Sequence, residues 1–366
     1  MLNALRRLFL GAALLLAASA GLLLSDLASR TGAASADSAP EKTARVALLQ
    51  HASQAILDQG RAGMLAGLAE RGWTPGQNLE VRNYNAEGDM PVAQAIAREM
   101  ANGGHQLLLT ISTPSLQAVA NANRATQIPH VFALVTDPVA AGVGVNRENP
   151  LDHPAWLAGY GTMQPVAKAF ATAREMNPSL RTVGVVWNAA EANSEAQVKL
   201  ARKVCAALDI QLLEASVENT AGVAEAAASL GARGAEALWV NGDVTVITAI
   251  DSLLAAANKA NIPVFTVIPP NVKSGALFDL GADYFEVGRL GGILAGEILS
   301  GKDPAAVPIE NVMPEMLALN LRTAGKFSAK WRIPPALRER ARLIVNEDGS
   351  EQAAPPPKTA AAPNPS

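Results

Sequence analysis

Leu107-Leu108-Leu109-Thr110-Ile111-Ser112-Thr113-Pro114-Ser115 is the stretch on which the fold turns. Its first five residues carry no charge, and hydroxyls and a proline follow at once. A short unbroken apolar run bounded by turn residues reads as a strand covered on both faces, the kind that parallel sheets contain. Pro114 is placed to open a helix in its first turn, with Thr113 as the cap, so the spacing predicts a helix from Ser115 to about Arg124. Strand, polar turn and helix together make one half of a βαβ unit.

The same alternation extends in both directions. Upstream, Arg45 to Leu49 reads as a buried strand, and Leu57, Met64, Leu65 and Leu68 recur at helical spacing up to Gly72. Leu79 to Tyr84 is the next strand, with Val92, Ile96 and Met100 on the following helix. Downstream, Pro129 to Leu134 is a strand. A second series begins after Thr162: helix Val166 to Met176, strand Thr182 to Trp187, helix Ser194 to Leu208 and strand Gln211 to Ala215. It continues with helix Val223 to Leu230, strand Ala237 to Val240, helix Thr248 to Ala260 and strand Pro263 to Val267. Strands separated by helices of this length form parallel sheets with right-handed crossovers. The fold class expected is α/β, with two doubly wound parallel-sheet lobes.

Three later pieces bear on how the lobes connect: a strand from Ala276 to Leu280, a helix from Tyr284 to Ser300 and a strand from Met316 to Leu321. They predict chain crossings near 160, 284 and 317, hence a multi-strand hinge. The first lobe is expected to hold 44–160 plus 284–345, and the second 161–283. Ser350 to Ser366 is Ala- and Pro-rich with almost no large apolar residue, which predicts a disordered tail.

The N-terminus reads as an address. Arg6 and Arg7 precede an apolar run from Leu8 to Leu24, and Ala34-Ser35-Ala36 offers the small residues of a cleavage site. Residues 1–36 are therefore expected to be an export signal, or, left uncut, a membrane anchor. Either way the body lies outside the cytoplasmic membrane, in the periplasm.

Composition excludes several functions. The formal charge is -3 and the basic residues are scattered, so no surface is built for a nucleic-acid backbone. One cysteine, Cys205, cannot form an internal disulfide and reads as a small buried hydrophobe. His51, His105, His130 and His153 lack metal-ligand spacing, phosphate-loop motifs are absent, and no cofactor or metal is expected.

In open α/β sheets, ligands bind beyond the carboxyl ends of the strands. Four strand ends in this sequence are polar. They carry Ser112, Thr113 and Ser115; then Thr136 and Asp137; then Asn188 with Glu191, Asn193 and Ser194; and finally Asn241 with Asp243. Any one of these residues is an ordinary helix cap or turn residue. Their conjunction, drawn equally from both series, marks a ligand site. Helix N-termini suit a carboxylate, and Asp137, Glu191 and Asp243 suit an ammonium, which points to a zwitterion such as an amino acid. Replacing Asp137 or Glu191 with alanine is expected to weaken binding and leave thermal stability nearly intact. Trp187 and Trp239 read as core residues. No Gly-x-Ser-x-Gly elbow or nearby histidine accompanies the serines, so catalysis is not expected.

At these loops the chain resembles the ABC-transporter substrate-binding proteins of the type that includes tryptophan- and tyrosine-binding members. The similar stretches are Leu57 to Leu68 with Gly72-Trp73, Tyr84 to Asp89, Ser112 to Gln117, Val135 to Gly142, Glu191 to Ser194 with Gln197, and Asp283 to Arg289. They span about residues 45 to 325. The resemblance implies a periplasmic-binding fold of type I, with a hinge and an interlobe cleft that closes on a small molecule. It implies an ABC permease of the inner membrane as partner and a monomeric receptor. Ser112, Thr113, Thr136 and Asp137 would line the first lobe, and Glu191, Asn193, Ser194 and Asp243 the second. The chain departs from the family at Gln54-Ala55, where a His-Pro pair is common, at Asn188-Ala189-Ala190, and in the longer segment Asn146 to Trp156. A membrane-tethered ligand sensor built on the same cleft is the alternative reading.

Overall fold

Apolar runs that shun water on both faces fix two sheets. The computed structural model describes residues 43–354; the N-terminal segment read as an export signal or anchor lies outside them. The first sheet contains β1 (Ala44–Gln50), β2 (Leu79–Asn85), β3 (Leu107–Ile111), β4 (His130–Val135) and β5 (Leu157–Gly161), in the order β2-β1-β3-β4-β5. All its pairings are parallel. Helices α1 (Ala55–Glu70), α2 (Met90–Asn102) and α3 (Thr113–Ala122) form its crossovers. Val46, Leu48, Leu107 and Leu109 are wholly buried at its centre.

The second sheet has eight strands. They are β6 (Thr182–Trp187), β7 (Gln211–Ser216), β8 (Ala237–Val240), β9 (Val264–Thr266), β10 (Phe278–Ala282), β11 (Glu315–Asn320), β12 (Leu343–Val345) and β13 (Glu351–Ala353). Their order is β13-β12-β11-β10-β9-β8-β6-β7, parallel from β7 to β10, with β11 antiparallel to β10. Helices α4 (Val166–Met176), α5 (Ala192–Ala207), α6 (Val223–Ala232), α7 (Val244–Thr248) and α8 (Ile250–Lys259) cover it. Its core is aromatic. Phe170 meets Trp239 and Phe265 edge to face at 5.2 and 5.4 Å between centroids, and Phe265 stacks on Phe278 at 5.2 Å.

Helix α9 (Tyr284–Leu299) leaves the second sheet and docks on α1 of the first lobe. Glycines permit this. A methyl group at Gly63 would run into the Phe285 carbonyl, and one at Gly292 into the Met64 carbonyl, so the two backbones touch directly.

The chain crosses between lobes three times: between Gly161 and Val166, between Ala282 and Tyr284, and between Ile309 and Glu315. The crossings are laced together. Gly161 N donates to Glu310 O and Val312 N to Gly161 O, both at 2.8 Å, and Asp283 N donates to Pro314 O at 2.8 Å. Three thin segments joined by backbone bonds make a hinge rather than a packed interface.

Several expectations need correcting. The segment 284–345 does not return as a whole to the first lobe. Its helix α9 and the following segment as far as Ile309 pack there, whereas β11 and β12 extend the second sheet, because β11 pairs with β10 over five residues. The tail is not free from residue 350, since Glu351–Ala353 pairs antiparallel with β12. The helix expected over 248–260 is α8, and ahead of it Val244–Thr248 forms a further short helix, α7, set off at Ala249. Strand β5, Leu-Ala-Gly-Tyr-Gly, carries too little apolar signal to be read as a strand, and it supplies the edge of the first sheet.

Candidate functional site

Each sheet has one place where the strand order reverses. In the first it lies between β1 and β3, and in the second between β6 and β8. Loops leaving neighbouring strands in opposite directions open a crevice there. Gln54 follows β1 and Ser112-Thr113 follows β3; Asn188 to Asn193 follows β6 and Asn241 to Asp243 follows β8. The hinge brings these two crevices to one cleft, lined by Gln54, Leu57, Thr113, Thr136, Asn193 and Asp243, among others. Ile56, Leu134, Val244, Ile247 and Ile268 add aliphatic walls, and Gln164, Gly242, Ser112 and Tyr284 complete it.

The first-lobe side is held by strained backbone. Ser112 has φ 95° and ψ 158°, a region that glycine normally occupies, and its hydroxyl caps α3 by accepting from Ser115 N. The cap is therefore Ser112, one residue before the expected Thr113. Leu134 has φ 57° within an irregularity of β4. Non-glycine residues in such conformations cost on the order of 1–3 kcal/mol each and collect at functional sites.

The second-lobe side is held by carboxylates. Glu191 accepts from Val244 N at 2.7 Å, Thr245 N at 2.9 Å, Thr245 Oγ1 at 2.6 Å and Asn193 Nδ2 at 3.0 Å. Asp243 accepts from Asn188 N at 2.6 Å and from Val246 N at 2.8 Å. Burial, with the nearby Glu191 carboxylate adding, pushes Asp243 up to about 7.

Two contacts tie the halves. Gln54, from the first lobe, donates through Nε2 to Val244 O at 2.8 Å and Thr248 Oγ1 at 2.6 Å in the second. At the hinge, Gly242 N donates to Gln197, Gln197 to Gln164, and Gln164 to the Tyr284 hydroxyl. The lobes are thus closed on one another. The cavity between them is about 30 Å3, room for a water or two, so a larger ligand reaches it only when the lobes part.

Not every expected residue reaches this cleft. Ser112, Thr113, Thr136, Asn193 and Asp243 line it. Ser115 and Ser194 are fully buried behind the lining, the latter bonded to Asn241. Glu191 is spent on the start of α7, as its four bonds describe. Asp137 caps its own turn at Val139 N and Ala140 N and pairs with Arg147 at 2.7 Å, on a separate pocket of about 320 Å3 beside the hinge. These four act as supports. The two carboxylates satisfy neighbouring backbone amides before they serve a ligand, and the two hydroxyls bond the side chains of Ser112 and Asn241.

Gln54, Gln164 and Tyr284 were not anticipated in the site. The last two sit at the chain crossings expected near 160 and 284, and that was the available signal. Trp239 is core, and Trp187 is half-buried beneath the Arg202 guanidinium at 5.5 Å. Cys205 is buried, which pushes its thiol up to about 12 and keeps it unreactive. Among the described residues no group of acids, histidines or cysteines is arranged to hold a metal, and no helix is long and apolar enough to cross a membrane.

Three side-chain atoms of the lining remain buried without a partner: Gln54 Oε1, Thr113 Oγ1 and Asn193 Oδ1. Nine other buried side-chain atoms of the described residues lack a partner too, His130 Nδ1 and Trp239 Nε1 among them, but these three are the ones that meet at the cleft.

The family model for ABC transporter substrate binding proteins matches residues 45–332. A tyrosine-binding protein of Clostridioides difficile (strain R20291) is 29% identical over 273 residues, 75% of this chain and 76% of that protein. Among solved structures, a conserved domain protein from Vibrio cholerae O1 biovar El Tor is 32% identical, with a TM-score of 0.78 over 83% of this chain and all of that one. An ABC domain from Streptococcus pneumoniae in complex with L-Trp has a TM-score of 0.77 at 22% identity, over 83% of this chain and all of that one.

Proposed function

The chain belongs to the family of ABC transporter substrate binding proteins, solute-binding proteins rather than enzymes, and from that premise we propose that it captures an amino acid on the outer side of the cytoplasmic membrane and delivers it to an ABC permease. The ligand enters while the lobes are apart, bridges them, and shifts the balance toward the closed form that docks on the permease. The receptor acts as a monomer in the periplasm.

The observation that carries this reading is the set of three unpaired buried atoms, contributed by both lobes to one cleft. A cleft whose polar atoms are already satisfied has nothing left to offer a ligand. Ser112, Thr113 and Thr136 from one side and Asn193 and Asp243 from the other form the polar contacts, with Gln54 and Tyr284. Ile56, Leu57, Leu134, Ile247 and Ile268 receive an apolar side chain. The tyrosine-binding relative supports an amino acid, and the apolar walls admit an aromatic one.

Isothermal titration of the exported protein against the common amino acids, small peptides and purines tests the proposal. One-site binding at micromolar or tighter affinity to one or a few amino acids is expected. Silence across the amino acids overturns it.

A further inference from the structure

Gln54 and Asn193 face the cleft from opposite lobes, and each is a primary amide with one hydrogen-bonding end already committed. Gln54 Nε2 donates to Val244 O and Thr248 Oγ1. Asn193 Nδ2 donates to Gly242 O at 2.6 Å and to Glu191 Oε2 at 3.0 Å. An amide nitrogen has two hydrogens, so both donors of each side chain are used. Two acceptors also settle which way each amide points, since a flipped amide would set oxygen against oxygen. What each presents is therefore a carbonyl oxygen, and both oxygens are buried and unpaired, as is the Thr113 hydroxyl. The three residues are 7%, 4% and 2% exposed.

The lining has no counterpart of opposite character. It contains no lysine, arginine or histidine, and its one ionisable acid is Asp243. A carboxylate placed here would meet no cation, only hydroxyls such as those of Thr136 and Tyr284 and the backbone amides of the first turns of α3 and α5. An ammonium would find up to three acceptors for its three hydrogens.

We infer that the cleft selects its ligand by a protonated primary amine, bound by the carbonyl oxygens of Gln54 and Asn193 with the Thr113 hydroxyl, and that a ligand carboxylate is dispensable. This deepens the amino-acid reading and rests on it. The ligand class then extends to primary amines with an apolar body. Gln54 acquires a double role: its nitrogen fastens the lobes of the empty cleft, and its oxygen reads the ligand.

The test uses two series of probes in isothermal titration at pH 7.5. One is L-tyrosine, tyramine and 3-(4-hydroxyphenyl)propanoate; the other is L-leucine, 3-methylbutylamine and 4-methylpentanoate. In a series whose amino acid binds, the amine is expected to keep its affinity within about tenfold, and the acid to lose at least about a hundredfold, because hydrogen bonds to a charged group are the stronger ones. If the acid binds and the amine does not, the inference falls while the amino-acid reading stands. If none of the six binds, the inference falls, and the amino-acid reading falls with it only where the other common amino acids are silent as well. An amine binding where its amino acid fails supports the inference and overturns the zwitterion. Thr113→Val serves as a second arm. It is expected to weaken amino acid and amine by the same factor. Weakening of the amino acid alone would assign the hydroxyl to the carboxylate and overturn the inference.

Discussion

The two lobes present matching polar edges to one cleft and hold them by opposite means. The first keeps Ser112 and Leu134 in strained backbone and leans on a helix pair so close that only glycines fit between them. The second uses ordinary backbone fastened by two acidic side chains, Glu191 and Asp243, over an aromatic core. Their buried ionisable groups differ in the same sense. In the first lobe, burial pulls His51 down and takes His130 down to about 3. In the second, burial pushes Asp243 and Asp279 up to about 7. The lesson is that a bilobed receptor needs complementary surfaces at the cleft, and no shared way of building them.

The sharpest break in that contrast is Glu191→Ala. The structure reverses the expectation that this change spares stability. Removing the carboxylate strands Val244 N, Thr245 N, the Thr245 hydroxyl and one of the two Asn193 Nδ2 hydrogens, and unpaired part-buried donors cost about 1–3 kcal/mol each where water cannot replace the partner. Thermal or urea unfolding should show a loss of about 3 kcal/mol. Unchanged stability would mean that the second lobe is not held by its carboxylates. Gly292→Ala probes the first lobe in the same way. The added methyl meets the Met64 carbonyl, so about 1–3 kcal/mol should be lost as α1 and α9 move apart.

Gln54→Ala tests the link between lobes. It removes two hydrogen bonds that exist only when the cleft is shut. Small-angle scattering of the ligand-free protein should report a larger radius of gyration than wild type, at nearly unchanged unfolding midpoint.

The smallest effect concerns pH. His130 stays neutral in the folded chain down to about 3, whereas an unfolded histidine takes a proton below about 6.5. Stability contributed by the first lobe is therefore lost as pH falls from about 6.5. Asp243 and Asp279 keep their protons up to about 7, whereas unfolded aspartates release them above about 4. Stability of the second lobe is lost as pH rises across that window. Hydrogen exchange, corrected for its intrinsic pH dependence, should show β3 and β4 loosening at pH 5 relative to pH 7.5, and β9 and β10 tightening. The two lobes moving in the same direction would contradict the contrast.

Much of the architecture was legible in the sequence because parallel strands buried on both faces leave unbroken apolar runs. Leu107 to Ile111 and Thr182 to Trp187 are the clearest, and the structure puts strands there. The failures have physical causes. In β5, Gly159 is required because any side chain would strike Phe132, and a glycine erases the strand signal. Strands β12 and β13 are three residues each, too short to show a period, and only their pairing onto β11 identifies them. At the site, the polar strand ends announced where a cleft forms but not how each residue spends its hydrogen bonds. Asp137 and Glu191 look like ligand groups in sequence and turn out to be committed to neighbouring amides and to Arg147. Gln54 shows the converse. Nothing local distinguishes a glutamine before a helix from one that spans two lobes, because its partners lie 190 and 194 residues away.

The most direct test is a crystal structure of the protein with the amino acid that titration selects. Density for its amino group between Gln54, Thr113 and Asn193, with both lobes in contact, is the predicted result. A ligand held by one lobe alone, or seated instead beside Asp137 and Arg147, would contradict the account.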